Sequence, residues 1–362
     1  MTRSSTSAPR LAGLDSLRLM AAAWVACSHG ARLPLEHMVS GDGPVAQGLV
    51  ALNNGLFNGV AAAMLFFVIS GLVIHHANVG LEAIDIPGHY VRRLLRVAPP
   101  LFVMQIVCLL MGPKFQIELN DVLWSVYCEI AFYLAYPLLF PLFRRVGAER
   151  VFMASSVPSA IAIALTWPTS YHSMLPLPAL LAIGAPCLLL GCLLAEKLAA
   201  GKAIDVGGAI WAWRAAAIAL SAAMKLPVTH GPFHVGYPAG HWIFAIFSFF
   251  WLSREVGYFA HRAPPRLTEA GGAMSYSLYL VHFPVLGLFL VSETAGAPLR
   301  GIFGHGAGAW LAAWGLWIAG IAMATLVFHV FIEAPFHRLA RTLGRRVTER
   351  ARRTRTRREV TA

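Results

Sequence analysis

Within LDSLRLMAAAWVACSHG, Arg18 and His29 stand eleven residues apart. That is close to three turns of an α-helix, so the two share an azimuth while lying roughly 16 Å apart along the axis. They cannot touch. A guanidinium can anchor an anion, and an imidazole of near-neutral pKa can take the proton of an alcohol as it attacks a thioester. One helix would then hold one end of a long ligand and do chemistry at the other. The alternative is a histidine that only caps a helix end or sits at an interface. Asp15, Arg18, Ala22, Val25 and His29 follow one another at three- and four-residue steps, which places them on one face. Asp15 can pair with Arg18 one turn away.

Further groups of this kind recur along the chain. In HYVRRLLRVAPP, Arg92, Arg93 and Arg96 form a cationic loop entering an apolar stretch, where guanidiniums can clamp phosphates bidentately; ordinary membrane topology is the competing explanation. Pro99 and Pro100 behind them suit a helix start or kink. In LWSVYCEIAFYLAYP, Ser125, Glu129 and Tyr133 share a face with Trp124 at interface depth. A carboxylate there requires a partner: His29, or a structural tie to an Arg or Tyr. Ser70 in FFVISGLVI can supply a hydroxyl, although Ser70-Gly71 also suits close helix packing. SYSLYLVHFP carries Ser275, Tyr276, Tyr279 and His282, for catalysis or core hydrogen bonding. Glu333 and Arg338 in FIEAPFHR read as an end cap and topology anchor.

These residues sit in a chain that is 57% hydrophobic and 13% charged, outside the composition of an ordinary soluble domain. A membrane span needs roughly 20 mostly apolar residues. Hydropathy predicts spans near 13–30, 57–77, 96–112, 122–143, 151–168, 174–195, 206–224, 239–254, 273–292 and 308–332. The fold class is therefore all-α and polytopic, with about ten transmembrane helices. Most Lys and Arg outside these spans fall on one side, which puts both termini in the cytoplasm. The predicted division is a cytoplasmic segment 1–12, a membrane domain 13–338 and an Arg-rich cytoplasmic tail 339–362. The basic start followed by an apolar run resembles a secretory signal, but Asp15 and Arg18 within it argue for a retained helix.

Of the formal +12 charge, about ten arginines lie between Arg338 and Arg358. That tail has too few apolar residues to fold and is expected to lie against the anionic lipid bilayer rather than bind nucleic acid. The five cysteines show no Cys-x-x-Cys spacing, which implies neither a disulfide framework nor a zinc site. His75 and His76 are adjacent and point apart on a helix. His230, His234 and His241 lie in a Gly/Pro-rich connection not expected to be helical, so their spacing specifies no metal. No metal site is expected.

Taken together and in order, LDSLRLMAAAWVACSHG, FFVISGLVI, YVRRLLRVAPP, LWSVYCEIAFYLAYP, SYSLYLVHFP and FIEAPFHR resemble the signatures of the membrane acyltransferase-3 family of bacterial O-acyltransferases, from about Leu14 to Arg338. The resemblance implies a ten-helix multi-pass protein of the bacterial inner membrane. It would take an acyl group, most simply acetyl, from cytoplasmic acyl-CoA as a co-substrate, with no tightly bound cofactor. The acceptor would be a hydroxyl of a carbohydrate-type molecule. The family's Arg-x10-His pattern falls on Arg18 and His29, its Arg-x-x-Arg pattern on Arg93 and Arg96, expected to meet the CoA phosphates, and its Trp-Ser-Leu-x-x-Glu segment on Trp124, Ser125 and Glu129 with Val126 in place of Leu. His29 is then the expected base, oriented by Glu129 or Asp15. The connection MGPKFQIELND looks short for the family. No fused esterase-type domain is expected after the last helix, and a separate extracytoplasmic partner enzyme stays open. A glycan or lipid transporter without covalent chemistry is the alternative from another class.

Overall fold

The computed structural model describes residues 11–39, 43–166, 175–230, 237–294 and 306–361. The expected N-terminal segment 1–12 lies almost wholly outside them, as do His234 and the Trp167-Pro168 and Gly231-Pro232 connections. The protein is 88% helical, with no strand among the described residues.

Helix α1 (Leu14–Ala26) widens into a π-turn over Cys27–Ala31. Then come α2 (Leu35–Met38), α3 (Pro44–Leu56) and α4 (Gly59–His76), α5 (Ile86–Met111), α6 (Pro113–Thr166) and α7 (Leu177–Ala199). The order continues with α8 (Ile210–His230), α9 (Tyr237–Ala260), α10 (Arg266–Gly272) and α11 (Ser275–Thr294). The last elements are α12 (Ala307–Phe328), a second π-turn His329–Glu333 and α13 (Ala334–Thr361). Helical residues occupy every predicted span as far as it is described. Among the described residues, six helical segments are long and apolar enough to cross a membrane. Large apolar side chains such as Leu110, Leu138 and Leu165 face outward, at 75–81% exposure, which in water would be costly and in lipid is not.

The core forms around α4, whose mostly apolar sequence is buried on nearly all sides. Asn58 starts it: its Oδ1 accepts from Val60 N at 3.1 Å and Ala61 N at 3.3 Å, satisfying otherwise orphaned donors. Glycines set its closest neighbour. A methyl on Gly71 would lie inside the Leu188 carbonyl oxygen of α7, and one on Gly191 inside that of Val68, so the two backbones touch as small residues allow between membrane helices. Gly71→Ala and Gly191→Ala are each expected to cost about 1–3 kcal/mol by forcing the pair apart. A thermal melt in detergent checks this; wild-type melting by both variants would contradict the packing.

Several elements differ from the sequence reading. α5 begins at Ile86, capped by Asp85, whose Oδ1 accepts from Gly88 N at 3.1 Å. Arg92, Arg93 and Arg96 therefore stand on a helix rather than in a loop. Pro99 and Pro100 lie inside that helix; each deprives the carbonyl four residues earlier of its donor, and the Tyr276 hydroxyl donates to the neighbouring Val97 carbonyl at 2.9 Å. The connection expected between the third and fourth spans is reduced to Gly112, at φ 127. The fourth and fifth spans follow one another in α6 as two helical halves that meet at Gly147, whose φ 82 and ψ 155 are not helical, with no loop between them. His230 and His241 are on helices.

The largest correction concerns residues 339–362. The tail is not unfolded: it continues as α13 to Thr361 and packs on α5. Its docking face is Ala340, Gly344 and Thr348, four residues apart, a stripe of small residues that hydropathy does not register as a core face. Ala340 is buried, at 3% exposure.

Candidate active site

α1 is seated on α10 and α11. The Ser16 amide and hydroxyl donate to Glu269 Oε2 at 3.1 and 2.8 Å, and Gly272 leaves room for the Asp15 backbone. Leu17, Ala21 and Val25 are buried. This fixes the rotation of the helix, and the π-turn at its end presents His29 to α11.

There the His29 Nδ1 lies 3.0 Å from His282 Nε2, the rings 5.2 Å apart at 17°. The other ring nitrogen of His282, Nδ1, faces the Tyr279 carbonyl at 2.7 Å and that of Leu278 at 3.2 Å. Carbonyls only accept, so His282 carries its proton on Nδ1 and its Nε2 accepts the His29 Nδ1–H. Neutral His29 is left with a lone pair on Nε2. Phe283 stands edge-on to the His29 ring at 5.7 Å. One turn back, the Tyr279 hydroxyl donates to the Val122 carbonyl at 2.7 Å and meets Ser125 Oγ at 2.9 Å.

Neither carboxylate proposed as the partner of His29 reaches it. Glu129 Oε1 instead accepts from the Ser70 and Tyr133 hydroxyls, both at 2.5 Å, and those hydroxyls are 2.9 Å apart. This is the structural tie. Asp15 sits beside Arg18 at 3.3 Å, and fourteen residues of helix separate it from His29, roughly 21 Å. Trp124 packs edge-on against Phe67 at 6.1 Å.

Two cavities extend from this point. A small one of about 70 Å³ is lined by Arg18, Arg96, Ser125, Glu129, Tyr133, Ser275, Tyr276 and Tyr279. A larger one of about 600 Å³ is lined by Asp15, Arg18, His76, Arg92, Arg93, Arg96, His337 and Arg341. Arg18 and Arg96 belong to both, so the pair forms the shared wall. Arg93 also lies over the Tyr133 ring, 5.6 Å from its centroid. Of the residues singled out, Arg18, Arg93, Arg96, Ser125, Glu129, Tyr133, Tyr276 and Tyr279 line these cavities, whereas His29 and His282 line neither and stand one turn beyond Tyr279.

Glu333 is not a surface cap of its own helix but a buried one that caps the first turn of α11. It is fully buried, at 0% exposure, and accepts from the Ser277 amide and hydroxyl at 3.2 and 2.5 Å. His329 Nδ1 lies 2.9 Å from it and His337 Nε2 3.5 Å. His329, Glu333 and His337 are spaced four residues apart, which places them on one helix face. Sequence reasoning also passed over the bidentate pair of Arg214 with Glu255, at 2.8 and 2.9 Å; an arginine left unmatched inside a span was the available signal. No cluster suited to a metal ion occurs among the described residues.

The family described as an acyltransferase domain, Acyl_transf_3, matches residues 11–333, the stretch that contributes every group of the small cavity and the histidine pair. No curated relative and no solved structure matches. A body of membrane-length apolar helices agrees with that match, and the chain belongs to the acyltransferase-3 family of membrane acyltransferases.

Proposed function

We propose that the protein is an O-acyltransferase of the bacterial inner membrane. It would move an acyl group, acetyl first among candidates, from cytoplasmic acyl-CoA to a hydroxyl of a glycan, glycolipid or glycosylated metabolite. Both termini face the cytoplasm in this reading, so the arginine chamber opens toward the CoA pool. The observation that carries it is the direction of the histidine pair: His282 takes the Nδ1–H of His29, which leaves His29 Nε2 as a base, on the helix whose other end supplies Arg18 to the chamber.

In the reaction, Arg92, Arg93 and Arg96 hold the CoA phosphates and the thioester extends past Arg18. The acceptor hydroxyl gives its proton to His29 Nε2 as its oxygen bonds to the thioester carbon. The resulting imidazolium is stabilised by its Nδ1–H bond to His282. Collapse breaks the C–S bond, and the CoA thiolate leaves with the proton. Glu129 and Tyr133 stand in the wall of the small cavity, tied behind it to the Ser70 hydroxyl.

The test incubates purified protein in lipid nanodiscs with radiolabelled acetyl-CoA and a panel of glycans. Label in the glycan with equimolar CoA release supports transfer. Vesicle uptake of a glycan with no thioester consumed would support the transporter instead.

His282 is a positioning residue in this scheme. His282→Ala is expected to lower kcat about ten- to hundredfold, because the His29 Nδ1–H loses its acceptor, without raising the KM for acyl-CoA. His282→Gln, whose amide oxygen can accept, is expected to recover part of the loss. Equal loss in both variants would indicate packing alone.

A further inference from the structure

Helix α13 starts at Ala334, one residue beyond the family match, and the proposed transfer chemistry makes no use of it. It nevertheless forms a wall of the large cavity, to which it contributes His337, Ala340 and Arg341 opposite the arginines of α5. The contact is specific. Arg92 Nη1 donates to Thr348 Oγ1 at 3.1 Å and lies 3.4 Å from Asp85 Oδ2, and the Thr348 hydroxyl donates to the same Asp85 oxygen. A methyl on Gly344 would come within 2.5 Å of the Arg92 side chain. Thr348, Asp85 and Arg92 thus latch the helix to the amino-terminal cap of α5 and fix Arg341 at the rim.

The charge of the cavity points to its occupant. Its walls bring together Arg18, Arg92, Arg93, Arg96 and Arg341 with Asp15 as the one carboxylate among the described lining residues, and Asp15 is already paired with Arg18. A volume of about 600 Å³ lies in the range of sites for whole small molecules. Guanidiniums so placed suit several phosphate groups on one ligand. Building on the acyl-CoA reading, the geometry points to Arg341 as a further phosphate-binding residue of the donor site, set in place by the Thr348 latch. The donor class it selects is a polyphosphorylated nucleotide thioester rather than a short phosphate-free one. An anionic lipid headgroup shares the phosphate chemistry, and the lipid composition of the test separates the two.

The experiment measures CoA binding by calorimetry to the full-length protein in nanodiscs of phosphatidylcholine alone. Arg341→Gln is expected to raise the CoA Kd about tenfold. Arg346→Gln, which removes the same charge from the same helix away from the cavity, is expected to change it by less than about twofold. Thr348→Val is expected to weaken CoA binding and raise the KM for acetyl-CoA with kcat retained, while Thr348→Ser restores both. Transfer from S-acetylpantetheine, which has no phosphate, is expected to be indifferent to Arg341→Gln. Equal weakening by Arg346→Gln would reduce the effect to bulk charge and overturn the proposal. So would unchanged CoA binding by Arg341→Gln, together with loss of retained phosphatidylglycerol, since the group would then hold lipid. If wild-type protein that melts normally binds no CoA, the donor reading falls as well; if it binds CoA and residue 341 is indifferent, only the role of α13 falls.

Discussion

His29→Ala is expected to lower acyl transfer by a factor of about 100 to 10,000, the usual contribution of a positioned general base, with the acyl-CoA Kd and the melting temperature close to wild type. The separation of effects follows from where the residue sits. α1 is held by Leu17, Ala21, Val25 and the Ser16–Glu269 bonds, all before the π-turn, so removing the ring unseats nothing upstream. The donor chamber lies at the opposite end of the helix. What disappears is the one nitrogen that His282 leaves ready to accept a proton. Initial-rate kinetics with radiolabelled acetyl-CoA check this. A His29→Ala protein that transfers at the wild-type rate removes the mechanism, whatever the fold.

The double variant Arg93→Gln/Arg96→Gln is expected to lower kcat/KM for acyl-CoA by about 100-fold or more, almost entirely through KM. Each guanidinium-to-phosphate contact is worth about 1.5–3 kcal/mol, and tenfold in affinity corresponds to about 1.4 kcal/mol. Both groups line the large chamber, together with Arg18, Arg92 and Arg341. Without a ligand these like charges repel one another, so neutralising two of them should leave the melting temperature unchanged or raised, a cost of function borne by stability. A variant that loses kcat but not donor affinity would place these arginines outside the phosphate site.

The parts of this site legible in the sequence were those whose geometry is local. Asp15 and Arg18, or Ser125, Glu129 and Tyr133, lie within one or two turns of each other, and helical spacing alone puts them on a face. The His29–His282 contact spans 253 residues; no periodicity links two single histidines, so Glu129, at a similar depth, was the partner the sequence suggested. Ionisable groups inside apolar runs drew attention to these positions, but only the packing of α1 on α11 showed which of them meet. The prolines of α5 misled for a different reason: a membrane helix can run on through proline, so Pro99 and Pro100 mark no helix start. The tail misled because the stripe of Ala340, Gly344 and Thr348 packs through its smallness, which hydropathy does not count.

The π-turn at Cys27–Ala31, with Gly30 at φ 118, separates two properties of the first helix. Such a turn is an α-helix that has absorbed an extra residue, so the swing it adds is confined to the residues downstream. The seat of the helix is settled by residues before Cys27, whereas the compass bearing of the imidazole is set by how far the coil opens beyond that point. Changes at the four positions around His29 in that turn would therefore swing its ring while leaving the seat of the helix as it is.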